Sequence, residues 1–213
     1  MKLVIVGARP DGQAKVVLEI VQAEGKHEVV GFIDDDPAKA GLRIRDIPVL
    51  GGVADLPRLI DVHALGGGIV ALGDCPARRR LGQALKGLGL ALVTTIHPRA
   101  HLDSDVVLGE GVVISPGACI TTGSRIGDSV NILTGATVDH DNVIEAGVVL
   151  SPGVHTSGRV QIGQDAFVGT GAIFLPDARV GAGSWIGAGA VVKGLVPARE
   201  VWAGVPARRL RAR

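Results

Sequence analysis

The chain has 213 residues, with 32 glycines but only three Phe, two Trp and no Tyr. Its core must therefore be filled by small and aliphatic side chains, in a design where backbones approach closely. A hydrophobic content of 46% excludes disorder, glycine without a Gly-X-Y period excludes collagen, and 22 basic against 21 acidic residues argue against a broad nucleic-acid surface.

Residues 1–96 alternate short β runs with helical stretches. Segments 2–6, 28–33, 68–72 and 91–95 predict buried parallel strands, and 12–23, 53–60 and 76–85 predict the helices between them. This alternation implies a small Rossmann-like α/β unit. The apolar start, Leu3 to Val6, is too short for a signal sequence, and segment 64–73 has half the length of a membrane span. Cys75 and Cys119 are too few for a disulfide scaffold, so a soluble protein of the reducing cytoplasm is expected.

Ligands of such sheets sit beyond the carboxyl ends of the strands. Those ends are the Gly7-to-Gly12 turn with Arg9, Pro10 and Asp11, then Asp34-Asp35-Asp36, then Gly73-Asp74. The first turn fits neither a dinucleotide fingerprint nor a P-loop. Asp34 is placed either to bind a ribose or simply as part of a solvated acidic turn. A nucleotide ligand is suggested by this spacing, not fixed by it.

From residue 97 onward the grammar changes. Of the sixteen residues taken every sixth from Leu102 to Val192, fourteen are aliphatic, the others being Thr156 and Phe174. Four places after each, from Val106 to Val196, every residue except Asn142 is small or β-branched. A six-residue period predicts a β-helix, with three hexads per coil of about 18 residues. Residues 102–191 then make five coils, about 24 Å tall at the ordinary strand spacing. The first position points inward, the fifth fills beside a corner, and glycines at the second and fourth positions are read as turn residues with positive φ. The aromatic ladder Asn131, Val149, Phe167 and Trp185 points outward and is read as interface packing ahead of a ligand groove.

The repeat [LIV]-[GAED]-x-x-[STAV]-x resembles the hexapeptide acyltransferases. An α/β unit, then Ile96-His97-Pro98, then hexads, then Gly204-Val205-Pro206-Ala207, is similar to one branch of them. These are the bacterial sugar O/N-acetyltransferases of the NeuD/PglD type, including the sialic-acid and the bacillosamine or perosamine enzymes. The resemblance covers essentially the whole chain and implies a left-handed parallel β-helix, against the usual crossover handedness. It also implies homotrimers, with domains at 1–96 (nucleotide-sugar binding) and 97–213 (acetyl-CoA binding and catalysis). No tightly bound cofactor, metal, nucleic acid or membrane span is expected; acetyl-CoA is the co-substrate.

Thr137 to Asn142 is the segment richest in chemistry. His140 occupies an outward third position, with Thr122 one coil below and Gly158 one coil above. Taken by itself it reads as a surface histidine. The resemblance makes His140 the general base and Asp141 its orienting carboxylate. Arg159, 18 residues on, is a rival partner for Asp141. The resemblance further points to Thr170 and Ala188 at acetyl-CoA, and leaves His155 either there or at a subunit seam. Val149 stands where the family often has another acetyl-CoA-contacting histidine. For the nucleotide sugar it points to Gly12, Gln13, Asp34, Asp35 and Gly73, with Gln13 replacing the usual histidine and Arg9-Pro10 lengthening the turn. The implied activity is N-acetylation of a nucleotide-linked 4-amino-4,6-dideoxy sugar in surface-glycan biosynthesis. The alternatives are O-acetylation of sialic acid or another sugar hydroxyl, a zinc hydratase built on His101, His140 and His155, and a non-catalytic nucleotide-sugar binding module.

Overall fold

The computed structural model describes residues 1–10 and 12–213. The chain forms two compact units, Met1–His97 and Pro98–Arg213.

The first unit contains β1 (Lys2–Val6), α1 (Gln13–Glu24), β2 (Glu28–Ile33), β3 (Arg43–Ile44), β4 (Ile47–Gly51), α2 (Leu56–His63), β5 (Gly67–Val70), α3 (Cys75–Gly87) and β6 (Ala91–Leu92). Its sheet runs β3-β4-β2-β1-β5-β6. All pairings are parallel except β3 with β4. Leu3 to Val6 are buried without interruption, as a central strand covered on both faces requires. Helix α1 turns Ala14, Val17, Leu18 and Val21 inward at helical spacing and ends at Gly25 in the left-handed conformation.

Three details depart from the sequence reading. The second helix starts at Leu56, after a short 3-10 turn over Val53–Asp55. The predicted strand 91–95 stops at Leu92, and Thr95 instead donates its hydroxyl to Glu24 on α1 at 2.7 Å. The β3–β4 hairpin was not expected. Its two-residue turn is Arg45-Asp46, with φ of 47° and 65°, whereas such turns usually announce themselves with Asn-Gly or Asp-Gly.

The second unit is a three-faced prism of two-residue rungs. One face runs from His101–Leu102 through Cys119–Ile120, Thr137–Val138, His155–Thr156 and Ile173–Phe174 to Val191–Val192. Another runs from Val107–Leu108 to Leu195–Val196. The third includes Val113–Ile114, Asn131–Ile132, Val149–Leu150, Phe167–Val168 and Trp185–Ile186, then Glu200–Ala203 and the antiparallel Arg208–Ala212. Neighbouring rungs pair in parallel at a spacing of 18, as Thr137 with His155, so the hexad phase puts Ile120, Val138, Ile144, Leu150 and Phe174 in the core.

The phase fails at the last coil. Arg179 pairs with Leu195 and Val180 with Val196, so Val196 occupies an inward first position instead of the fifth. Lys193-Gly194, with Gly194 at φ 114°, makes the shorter turn. The glycine reading also needs correction. Fourth positions from Gly111 to Gly189 do have positive φ, whether they are Gly or Ser129, Asp141, Arg159, Asp165 and Asp177. Second-position glycines such as Gly127, Gly163 and Gly169 do not; there a Cβ would stand 2.6 Å from the backbone nitrogen of the next coil. Close approach, not turn geometry, requires them.

Candidate active site

His140 and Asp141 sit in the turn between the rungs Thr137–Val138 and Val143–Ile144. Asp141 has φ 58°, a left-handed conformation that Asp tolerates better than most residues. This sets its carboxylate against the preceding ring, with His140 Nδ1 and Asp141 Oδ2 2.8 Å apart. When Nδ1 carries the proton and donates it to Asp141, Nε2 holds the lone pair and is a proton acceptor. The backbone N–H of His140 donates to Asp139 Oδ1 at 2.8 Å, and that of Asp141 to the Thr122 carbonyl at 3.0 Å. Gly158 lies over the ring as the spacing of 18 predicts: a Cβ there would be 2.5 Å from the imidazole Cε1.

Arg159 is not the partner of Asp141. It turns up the ladder to Asp177, with Nε to Oδ1 at 2.8 Å and Nη2 to Oδ2 at 3.0 Å. The Asp177 hydrogen bonds raise the Arg159 pKa and, reciprocally, Arg159 lowers that of Asp177. Asp141 is left to His140.

Thr170 and Ala188 are 18 residues apart and line one open apolar groove of about 310 Å³ together with Phe167, Gly169, Trp185 and Gly187. The rings of Phe167 and Trp185 stand 5.8 Å apart, tilted by 55°. Of the ladder read from sequence as outward, the two aromatics line the groove that holds Thr170 and Ala188, whereas Asn131 and Val149 are buried. His155 is exposed and not among the residues that line this groove; its Nδ1 lies 2.9 Å from the Thr137 hydroxyl. Val149 is buried between Asn131 and Phe167. His101 engages Asp103 at 3.0 Å, so His101, His140 and His155 each have a separate polar partner.

In the first unit, Asp34 directly follows β2. Its Oδ2 accepts from the Ala8 N–H at 2.7 Å and from Lys39 Nζ at 2.8 Å, and its Oδ1 from the Asp36 N–H at 3.0 Å. Partial burial alone would raise its pKa; Lys39 and the two amides outweigh that and hold it below the ordinary carboxylate value. Asp35 Oδ1 accepts from the Val53 N–H at 2.7 Å. Asp34 and Asp35 share a small cavity of about 140 Å³ with Gly7, Val53 and Leu72. Gly12, Gln13 and Gly73 are not among its lining residues. Gly12 caps α1 without a side chain, and Gln13 Nε2 is buried without a hydrogen-bond partner among the described residues. Gly73 stands in open space, beside the Leu72 carbonyl that accepts from Arg78 at 2.8 Å. Asp11 lies outside the described residues.

A prism of hexapeptide rungs carrying an outward His–Asp pair and an open groove one corner away defines an acyltransferase of the hexapeptide class. Comparisons narrow the class. Residues 2–85 match the family model of the PglD N-terminal domain, and residues 159–194 that of the bacterial transferase hexapeptide, six repeats. Perosamine N-acetyltransferase from Caulobacter crescentus, solved with CoA and GDP-perosamine, is 38% identical, with a TM-score of 0.92 over 99% of this chain and 97% of that one. The acetyltransferase domain of PglB from Neisseria gonorrhoeae, solved with acetyl coenzyme A, is 34% identical, with a TM-score of 0.86 over 98% of each chain. WeeI from Acinetobacter baumannii is 26% identical, with a TM-score of 0.85 over 99% of this chain and 100% of that one. A search of curated protein sequences finds no significant match. The chain belongs to the left-handed β-helix sugar acyltransferases of the NeuD/PglD type. It is an acetyl-CoA-dependent sugar N-acetyltransferase.

Proposed function

We propose that this enzyme transfers the acetyl group of acetyl-CoA to the 4-amino group of a nucleotide-linked 4-amino-4,6-dideoxy sugar, with GDP-perosamine the first acceptor to test. The acceptor rests on the similarity to the Caulobacter enzyme, which binds GDP-perosamine and CoA. The chemistry rests on one observation, the 2.8 Å contact of His140 Nδ1 with Asp141 beside the space that Gly158 leaves open.

In this reading the neutral amine attacks the thioester carbonyl while His140 Nε2 takes its proton. The N–C bond forms, the C–S bond breaks, and CoA leaves as the thiolate. Asp141 holds the imidazole in the tautomer that leaves Nε2 free, and stabilises the imidazolium that forms. Acetyl-CoA lies along the groove of Thr170 and Ala188, with its pantetheine arm against Phe167 and Trp185. The acidic ends of the first unit, Asp34 and Asp35, receive the nucleotide with Gly12, Gln13 and Gly73. The enzyme acts as a homotrimer in the cytoplasm; among the described residues no helix is long and apolar enough to cross a membrane.

The test is a panel of GDP-, UDP- and dTDP-linked 4-amino sugars and a sialic acid, each mixed with protein and acetyl-CoA while free thiol is followed. An amino sugar nucleotide should release thiol, and His140→Ala should lower that rate by about 10²–10⁴-fold. Release with the hydroxyl acceptor alone would make it an O-acetyltransferase. Undiminished turnover in His140→Ala would remove the histidine from the chemistry.

A further inference from the structure

The prism core is aliphatic at its first positions and small or β-branched at its fifth, and of the four buried polar residues at those two positions three gather at one turn. Asn142 and Ser124 hold fifth positions and Thr156 a first position. All three are buried, Asn142 and Ser124 completely. A further buried fifth-position hydroxyl, Ser184, bonds the Pro197 carbonyl near the last coil instead.

The three converge on the backbone that carries His140. Asn142 Nδ2 donates to the Asp139 carbonyl at 2.6 Å and to the His140 carbonyl at 3.1 Å. It also reaches the Ser157 carbonyl, one coil up, at 2.9 Å. The Ser124 hydroxyl donates to the same Asp139 carbonyl at 2.9 Å. The Thr156 hydroxyl accepts from the Asp139 N–H at 3.3 Å. Asn142 therefore fixes both walls of the imidazole slot: the turn bearing His140 and Ser157, which precedes Gly158. Three carbonyls around one nitrogen set the amide's orientation, because the opposite flip would face oxygen with oxygen. The Asn142 Oδ1 finds no hydrogen-bond partner among the described residues. A buried acceptor without a partner is destabilising, and alanine, the occupant of this position at 118, 136, 166, 172, 178 and 190, would avoid it.

We propose that Asn142 is a positioning residue for acetyl transfer: it sets the slot between the His140 turn and Gly158, aided by Ser124 and Thr156, and so aims His140 Nε2. The proposal rests on His140 being the proton acceptor.

Asn142→Ala is the direct test, since alanine suits this position in other coils. The melting temperature should hold or rise, KM for both substrates should stay within about twofold, and kcat should fall about 10–100-fold, the usual effect of a sub-ångström to ångström misplacement. In the His140→Ala background the same change should cost nothing more, because the groups act as a unit. Ser124→Ala, which removes only the hydroxyl, should lower kcat in the same direction by a smaller factor, and keeps the idea testable if Asn142→Ala does not fold. If Asn142→Ala leaves kcat unchanged, or its loss is fully additive with that of His140→Ala, the positioning role is wrong. An active His140→Ala protein would instead overturn the underlying assignment of the base.

Discussion

Gly158 does at residue scale what Asn142 does through the backbone. Its φ is outside the left-handed region, so alanine can adopt its conformation, and the three atoms nearest an added Cβ all belong to the His140 ring. Gly158→Ala should therefore fold with a stability within about 0.5 kcal/mol of wild type, yet lose about tenfold or more in kcat as the ring is displaced. Parallel melting and thiol-release measurements check both halves; an active Gly158→Ala enzyme would mean the ring does not work from this position. The open rung above His140 was legible from spacing alone, whereas its pairing with Asp141 was read from the resemblance and not from the period. The partner of Arg159 was not. Asp141 and Asp177 both lie 18 residues away, and periodicity treats them alike. Asp141 already has Oδ2 on His140, whereas Asp177 offers both oxygens to the guanidinium fork. A repeat announces which residues stack, but the competition among their side chains is settled by geometry.

At the scale of the rung and turn, the six-residue period marked the inward positions through Val192 and told nothing of why each glycine is there. The two glycine classes should respond differently to substitution. Gly135, with φ 67° and open space where a Cβ would go, should lose about 1–2 kcal/mol as alanine and less as asparagine, which visits the left-handed region more readily. Gly163 needs no special φ, but a Cβ would lie 2.6 Å from the Ala182 nitrogen and 3.0 Å from its Cα. Gly163→Ala must therefore separate two coils and should cost about 2–3 kcal/mol. Urea unfolding of the three variants gives the order. A Gly163→Ala protein as stable as Gly135→Asn would remove close packing as the cause. The β3–β4 hairpin escaped notice for a related reason: its positive-φ turn is made by Arg45 and Asp46, residues that carry no strong turn signal. The shortening at Lys193-Gly194 likewise leaves small, apolar residues in plausible places on either register.

At the scale of the molecule, the prism separates the two halves of the proposed chemistry. Thr170 stands thirty positions beyond His140, one coil of 18 and two further hexads, which puts the histidine and the groove at different corners. The proposed chemistry needs something to bring them together. A threefold ring, in which the His140 corner of one protomer meets the groove corner of the next, can do so. On the proposed reading the homotrimer is a condition of catalysis, which can be tested by pairing two inactive proteins. His140→Ala lacks the proton acceptor but keeps its groove; Ala188→Trp keeps the histidine and fills the groove. Ala188 is exposed and its φ is not positive, so the second variant should fold. Each alone should be inactive. Co-expressed in equal amounts and isolated as mixed trimers through two different tags, they should recover about one third of wild-type turnover per site, because every mixed ring has one seam of its three where an intact histidine meets an intact groove. Mixed trimers with no recovered activity would mean that each active centre is built from one chain.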